Sequence, residues 1–369
     1  MRYATITGWG KAIPPAILSN ADLETIMDTS DEWISTRTGI KERRIAEVET
    51  SDMAALAGRQ AIAAAGKTPE DVDLIVLATC SPDTLLPSAA AWAQTKLGAT
   101  NAAAFDLNAA CSGFLYSLIV ATNMIKGGTS KCALVIGSEK LHKYVNFRDR
   151  TTAVLFGDGA GAVLLEAVEQ DEPIGLISSE MGLEVGTEEL LWAPQSGISG
   201  YTDEPVTSNR AIQMGGSEVF RRAVTMMADS SERVLAEAGW EADDVDLMIP
   251  HQANVRIIDA ATRRLGLDES KVFVNIASYG NTSGATIPIA LAEALEEGRI
   301  QPGAKLVFAA FGAGLTWAAA TFQWGDRITP IEDYQVEFPS SDLTGIDLIQ
   351  PNLDYFGRND VPGDGAGNP

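Results

Sequence analysis

The sequence predicts an α/β protein of two similar halves with largely parallel, buried sheets, and three observations predict it. First, the chain repeats itself. Ala65-Gly66 followed by Glu70-Asp71-Val72-Asp73-Leu74-Ile75 returns, 173 residues on, as Ala238-Gly239 followed by Asp243-Asp244-Val245-Asp246-Leu247-Met248. Each copy reads as a helix ending at glycine, an acidic loop and an apolar strand running to a turn, Cys80-Ser81-Pro82 or Pro250-His251-Gln252. Second, Ser112-Gly113 returns as Ser283-Gly284, displaced by 171, each opening an apolar helix. Third, those helices run to Gly127-Gly128 and Gly298 and then into strands at 132–136 and 306–310. Strands that alternate with helices pair in parallel and are covered on both faces. The offsets place the halves at about 1–170 and 171–325, packed on each other.

The remaining segment, 326–369, changes character. From Gly325 on, nine acidic residues face two arginines and little periodicity remains, so an acidic, partly disordered or surface-draped tail is expected, adding little to the core. Tyr334, Phe338, Tyr355 and Phe356 are the residues that would pin parts of it down.

Composition narrows the function classes. The chain has 369 residues, 46% of them hydrophobic and 21% charged, enough for a substantial globular core. A formal net charge of -23 argues against nucleic acid or an anionic membrane as the main partner. Three cysteines make no disulfide framework, which points to a reducing, cytoplasmic compartment. Residues 1–15 show no charged segment leading into a long apolar one, so no signal peptide is expected. Nor does any window of about 18 consecutive apolar residues suggest a membrane span.

Three residues stand where chemistry is possible. Cys111 lies between an apolar strand and a helix that is apolar nearly all round, from 114 to 125, and such a helix is buried. Its first turn offers unpaired N–H groups and a positive dipole end, which stabilise a thiolate and lower its pKa. Position alone suits a small buried cysteine better than a nucleophile. His251, one of only two histidines, follows an apolar strand at 245–250, the end where α/β sheets hold ligands. His142, in Lys140-Leu-His-Lys, reads as a surface residue, and neither histidine belongs to a metal-ligand cluster. Asn281, in Ser278-Tyr-Gly-Asn-Thr-Ser-Gly-Ala, occupies the turn that matches the Cys111 turn, although asparagine after glycine is also an ordinary helix start. Cys80 and Cys132, at a strand end and inside a strand, read as structural.

Two glycine-rich stretches remain. Phe156-Gly-Asp-Gly-Ala-Gly-Ala runs into a strand pattern where a dinucleotide fingerprint needs a helix, so it reads as tight turns with close backbone packing. Phe311-Gly-Ala-Gly-Leu-Thr-Trp follows a buried strand and could aim a backbone N–H at a reacting carbonyl.

Taken together, Asn108-Ala-Ala-Cys-Ser-Gly-Phe, Phe156-Gly-Asp-Gly-Ala-Gly, Pro250-His-Gln-Ala-Asn, Gly280-Asn-Thr-Ser and Phe311-Gly-Ala-Gly-Leu-Thr-Trp resemble the β-ketoacyl-acyl carrier protein synthase III family of thiolase-like condensing enzymes. So does Thr29-Ser-Asp-Glu-Trp-Ile-Ser-Thr-Arg-Thr-Gly-Ile-Lys-Glu-Arg, and the likeness covers about residues 1–324. It implies a thiolase-like fold, its sheets packed in layers around buried helices. It also implies decarboxylative Claisen condensation of an acyl-coenzyme A primer with malonyl-acyl carrier protein, through an acyl-cysteine on Cys111 and with no metal or bound cofactor. The amides of Cys111 and Ala313 would hold the oxyanion, while His251 and Asn281 would bind the malonyl thioester carbonyl. Trp33 and Arg150 would stack on the adenine of coenzyme A, and Arg37 would meet its phosphates. Arg221, Arg256, Arg263 and Arg264 would dock the acidic carrier protein. Leu86 would cap the acyl pocket of a partner subunit, which implies a homodimer. A thiolase-like acyltransferase or ketosynthase of secondary metabolism, a cysteine hydrolase and a non-catalytic partner subunit are the alternatives.

Overall fold

The computed structural model of the chain describes residues 1–193 and 211–358. Strand β1 (Arg2–Ala12) opens it, followed by β2 (Ala16–Ser19) and β3 (Glu42–Ile45), which enclose α1 (Asn20–Glu24) and α2 (Asp31–Thr38). Then come α3 (Thr50–Ala64), β4 (Leu74–Ala78), α4 (Ala89–Leu97), β5 (Ala103–Leu107), α5 (Gly113–Lys126), β6 (Cys132–Lys140), α6 (Arg150–Ala153) and β7 (Asp158–Glu169). The second run holds β8 (Gly175–Leu183), a ribbon of β9 (Leu191–Trp192) and β10 (Gln213–Met214), α7 (Gly216–Ala238), β11 (Leu247–Pro250) and α8 (Val255–Leu265). It ends with α9 (Ile276–Tyr279), α10 (Thr286–Glu296), β12 (Lys305–Gly312), β13 (Thr316–Gln323) and α11 (Gly345–Arg358).

The two large sheets have matching orders, β1-β7-β6-β4-β5 and β8-β13-β12-β11. Parallel pairing is confined to β4 with β5 and β6, and to β11 with β12. The other pairs in both sheets are antiparallel, so the sheets are mixed and not largely parallel. The reason is local. β6 and β7, like β12 and β13, lack the long helical crossover that parallel neighbours need.

Alternation along the strands sorts the core into layers. Leu74, Val76 and Ala78 pack on α5 and α10, as do Leu306, Phe308 and Ala310 from the other sheet. Ile75 and Leu77 face α3 and α4, whereas Val307 and Ala309 face α7 and α8. Thus α5 and α10 lie between two sheets, which is why they are apolar all round. The sequence repeat is a structural one at a constant spacing of 173. Thr68 and Asp71 form a capping box, and so do Glu241 and Asp244. The helix starts keep that spacing, since α5 begins at Gly113 and α10 at Thr286. Ser112-Gly113 therefore does not correspond to Ser283-Gly284, a pairing two residues out of register. The equivalent of Cys111 is Gly284.

The segment after Trp324 is not loosely draped. Ile331 N–H donates to Ala64 O at 2.9 Å, prolonging the end of α3, while Val336 and Phe338 pack against the cluster that α3 forms. Further on, α11 buries Ile349 and Phe356. Asn352 Nδ2 donates to His142 O (2.7 Å) and Val145 O (3.0 Å). Its net acidity hid an amphipathic helix, whose apolar face joins Leu18, Ile34 and Phe147 in one core. The last residues of the expected tail, 359–369, lie outside the described ones.

Candidate active site

Four chain segments converge on one buried centre. Cys111 sits in the turn between β5 and α5, His251 follows β11, Asn281 precedes α10, and Gly312-Ala313 ends β12. All three side chains are closed off, Cys111 at 8%, His251 at 1% and Asn281 at 7% exposure. Gly312 explains the tight closure. A Cβ there would lie 2.7 Å from Cys111 N and 3.1 Å from Ser112 N, so only glycine allows the two turns to touch. The Cys111 amide, which favours the thiolate form of its own sulfur, and the neighbouring Ala313 amide both stand at this junction, where an oxyanion would form.

The side chains are held so that their donors stay free. Asn281 Oδ1 accepts from Ser283 N–H at 2.8 Å, which assigns that atom as oxygen and leaves Nδ2 to donate. The backbone of Asn281 is bridged to β7's approach, its N–H donating to Leu155 O (2.8 Å) and its carbonyl accepting from Gly157 N–H (3.0 Å). Arg43, fully buried, grips Val154 O through both Nε and Nη2 and braces that approach. His251 Nδ1 is 2.7 Å from Thr286 Oγ1, whereas its Nε2 is buried without a partner. Burial pushes the imidazole down, to about 3, so the ring is neutral. A neutral imidazole is a hydrogen-bond group rather than a cation here.

The cysteine departs from expectation. Burial pushes the Cys111 thiol up, to about 12, with Ser283 opposing that shift and the Glu139 charge adding to it. The lowered pKa expected at a helix start is outweighed because the site is closed to water.

Beside it lies a group of residues that sequence reasoning missed. Glu139, at the end of β6, is fully buried and accepts from Cys80 N–H (3.1 Å), Thr79 Oγ1 (3.2 Å) and Ser81 Oγ. Cys80 Sγ donates to Glu139 Oε1 at 3.3 Å and lies 4.0 Å from Ser283 Oγ. Burial pushes the Cys80 thiol well up too. One signal was available, since Glu139 is a lone carboxylate closing an apolar strand in an α/β sheet, the end where sites form. Cys80, read as structural, borders the site.

His142 was also misplaced. It is fully buried, its Nδ1 donating to Asp158 Oδ2 and its backbone N–H to Oδ1 at 3.1 Å. Charged neighbours suggested a surface, but Lys140 turns away to Glu49 while α11 covers the turn.

The remaining candidates lie outside the centre. Arg37 and Arg150 place their guanidinium carbons 4.9 and 5.3 Å from the Trp33 ring centre. Arg221, Arg256, Arg263 and Arg264 are all exposed on α7 and α8. Arg221 is paired with Glu218 and Arg264 with Asp229, and Arg256 lies over Phe220. Leu86 is 85% exposed, close in sequence to Leu85 at 87%, on the loop before α4. The glycines at 157 and 161 make the close contacts expected of them. Cβ positions there fall 2.3 Å from Tyr279 O and 2.6 Å from Ile289 N. Among the described residues, no group of three or more His, Cys, Asp or Glu could hold a metal.

Known proteins share this architecture. The family model for 3-oxoacyl-[acyl-carrier-protein] synthase III matches residues 105–184, and that for its C-terminal part matches 235–324. The β-ketoacyl-[acyl-carrier-protein] synthase III 2 of Vibrio cholerae is 49% identical over 357 residues, 97% of this chain and 98% of that one. So little of the chain is left over that most of the segment after Trp324 has a counterpart there, and it is no departure peculiar to this protein. The synthase III of Symbiobacterium thermophilum is 50% identical over 330 residues, 88% of this chain and 99% of its own. Among solved structures, the 3-oxoacyl-[acyl-carrier-protein] synthase III of Aquifex aeolicus matches with a TM-score of 0.81 at 46% identity, covering 87% of this chain and 100% of that one. The priming β-ketosynthase of the R1128 polyketide pathway matches at 0.83 with 35% identity, covering 88% and 97%.

Proposed function

The chain belongs to the 3-oxoacyl-[acyl-carrier-protein] synthase III family, and we propose that it joins an acyl-coenzyme A primer to malonyl-acyl carrier protein. The product is a 3-oxoacyl-acyl carrier protein, and the reaction initiates fatty acid synthesis. One observation carries the reading. A buried cysteine shares a closed centre with a neutral histidine and an asparagine whose amide is oriented to donate.

In the first half-reaction Cys111 sulfur attacks the primer thioester, and the tetrahedral oxyanion meets the amides of Cys111 and Ala313. Coenzyme A leaves as the thiol. In the second, the malonyl thioester carbonyl accepts from Asn281 Nδ2 and His251 Nε2. That role puts the ring proton on Nε2, so the Thr286 hydroxyl donates to Nδ1 at 2.7 Å in place of its 3.0 Å bond to Ser283 O. Loss of carbon dioxide leaves an enolate on those donors, and its carbon attacks the acyl-cysteine, releasing Cys111. Preorganised donors in a water-free site favour developing charge far more than they would in solution.

Trp33 and Arg150 serve the adenine of the primer, and Arg37 the phosphates. The guanidinium of Arg150 already lies over the indole, so it lifts to admit a flat ring between them. Of the docking arginines, Arg256 and Arg263 carry no carboxylate partner among the described residues and present most of the free positive charge to the carrier protein. Leu85, Leu86, Trp92 and Phe105 form an exposed apolar set on the loop, α4 and the edge strand β5. A homodimer covering that face supplies Leu86 to the neighbouring acyl pocket. No helix among the described residues is long and apolar enough to cross a membrane, and a cytoplasmic location fits the three free cysteines.

Intact mass after incubation with acyl-coenzyme A esters tests the reading, followed by addition of malonyl-acyl carrier protein. An acyl adduct on Cys111 that converts to a 3-oxoacyl-acyl carrier protein supports it. Thioester hydrolysis without ketone formation would favour a hydrolase instead.

A further inference from the structure

A carboxylate with no exposure and no cation nearby is expensive to bury. Glu139 is such a group. Its neighbours are the amide and thiol of Cys80 and the hydroxyls of Ser81, Thr79 and Ser283, and none is positively charged. Lys140 follows it in sequence but points to Glu47 O and Glu49, both at 3.1 Å. Burial pushes its carboxyl up, while the donors of Ser81, Cys80 and Ser283 oppose that shift and favour the ionised form. Structural stability alone gives no reason to keep it charged there. A functional site does.

Geometry ties Glu139 to the nucleophile. A Cβ on Gly284 would lie 3.6 Å from both Ala110 O and Glu139 Oε1, so the carboxylate adjoins the turn that holds Cys111. Ser283, the residue before Gly284, has its hydroxyl 4.0 Å from Cys80 Sγ, which itself donates to Glu139, and as a neighbouring donor it lowers the pKa of both Cys111 and Glu139. Ser283 keeps a left-handed backbone, φ 49°, that side chains rarely adopt. The Asn281 side chain holds it there through Ser283 N–H, so the hydroxyl position is imposed.

We infer that Glu139, acting through the Ser283 hydroxyl, accepts the proton of Cys111 during self-acylation. This rests on Cys111 being the acylated residue. As the sulfur attacks the primer carbonyl, Ser283 takes the thiol proton and passes its own to Glu139. The carbonyl–sulfur bond of the primer then breaks, and the electron pair leaves on the coenzyme A sulfur. That sulfur recovers the proton by the reverse route and departs as a thiol, restoring the carboxylate. The cavity holds one negative charge throughout and never two, which matters because the Glu139 charge itself opposes a separate Cys111 thiolate. A histidine lowered to about 3 is a poor alternative base.

The titratable groups facing Glu139 are Cys80 on the loop after β4, Cys111 before α5 and Tyr144 in the turn after β6, and burial pushes all three upward. Burial pushes Glu139 up as well, so the acylation profile should carry an acid limb that Glu139→Gln removes.

The test uses full-length Glu139→Gln and Ser283→Gly, glycine being chosen because it accepts the left-handed backbone. Rapid-quench intact mass gives the rate of Cys111 acylation by acetyl- and octanoyl-coenzyme A from pH 5 to 10, beside carbon dioxide release from a malonyl thioester. Both variants should acylate about 10²-fold more slowly near pH 7, the scale of a lost general base. Their remaining rate should climb about tenfold per pH unit as hydroxide replaces the relay, while the wild type levels off. Carbon dioxide release should persist. The relay is overturned if Glu139→Gln acylates at the wild-type rate with an unchanged profile, or if both half-reactions fall together. Should the wild type itself leave Cys111 unacylated by either ester, the condensing-enzyme reading fails first.

Discussion

Asn108 and Asn281, 173 residues apart, make the same bond: each Oδ1 accepts the amide hydrogen two residues on, from Ala110 at 3.1 Å and Ser283 at 2.8 Å. Both receiving residues are left-handed, with φ 47° and 49°. One turn motif is thus used twice. In the first copy it presents Cys111, the proposed nucleophile, which follows Ala110. In the second a glycine takes that place, and the asparagine itself, buried rather than exposed, is the proposed donor.

That double duty yields a clean substitution. Asn281→Asp keeps an oxygen for Ser283 N–H but removes the Nδ2 donor. Acylation of Cys111 should survive, whereas carbon dioxide release should fall about 10²–10³-fold, the usual effect of losing one oxyanion donor. Measuring both on one preparation checks the division, and equal losses would contradict it.

Thr286 should control the His251 proton. Thr286→Val removes the partner that Nδ1 has among the described residues and should slow decarboxylation about tenfold, the worth of roughly one hydrogen bond. Thr286→Ser should restore most of it. Radiolabelled carbon dioxide release across the three proteins decides the matter.

Gly312→Ala should fold yet acylate poorly. The added methyl would meet Cys111 N at 2.7 Å and displace the amide expected to hold the oxyanion. Loss of about 10²-fold or more in acylation is expected. A near-normal rate would show that the Cys111 amide takes no part.

The arginines of α7 and α8 should separate into two kinds. Arg256→Glu with Arg263→Glu should weaken use of malonyl-acyl carrier protein steeply at low salt, because these two lack a carboxylate partner. Arg221→Glu with Arg264→Glu should cost less, their charge being shared with Glu218 and Asp229. Self-acylation by coenzyme A esters should be unchanged in both. Steady-state rates against carrier-protein concentration and ionic strength distinguish the pairs.

Phe356→Ala and Ile349→Ala should each lower stability by about 2–5 kcal/mol, as expected for truncating buried side chains. A chain ending at Trp324 should unfold more readily still. Thermal or urea unfolding checks this, and an unchanged midpoint would return the segment to the status of a loose tail.

The sequence by itself determined the α/β class, the repeat and the three central residues. Period-two and all-round apolar patterns record burial directly, and Cys111, His251 and Asn281 each stand in a recognisable motif at a strand or helix end. It could not decide pairing direction for β7 and β13, because an apolar strand looks alike from either direction. The register between Ser112 and Ser283 slipped by two, since a Ser-Gly match outweighed backbone shape that letters do not carry. His142 was misread because burial of a polar side chain depends on distant partners, here Asp158 and Asn352. The acidic segment after Trp324 misled through its net charge, although only one face of α11 meets the core. Tertiary structure alone closed the centre to water, and that closure reversed the expected shift of the Cys111 thiol, because desolvation acts on the whole cavity whereas a helix end acts along one axis.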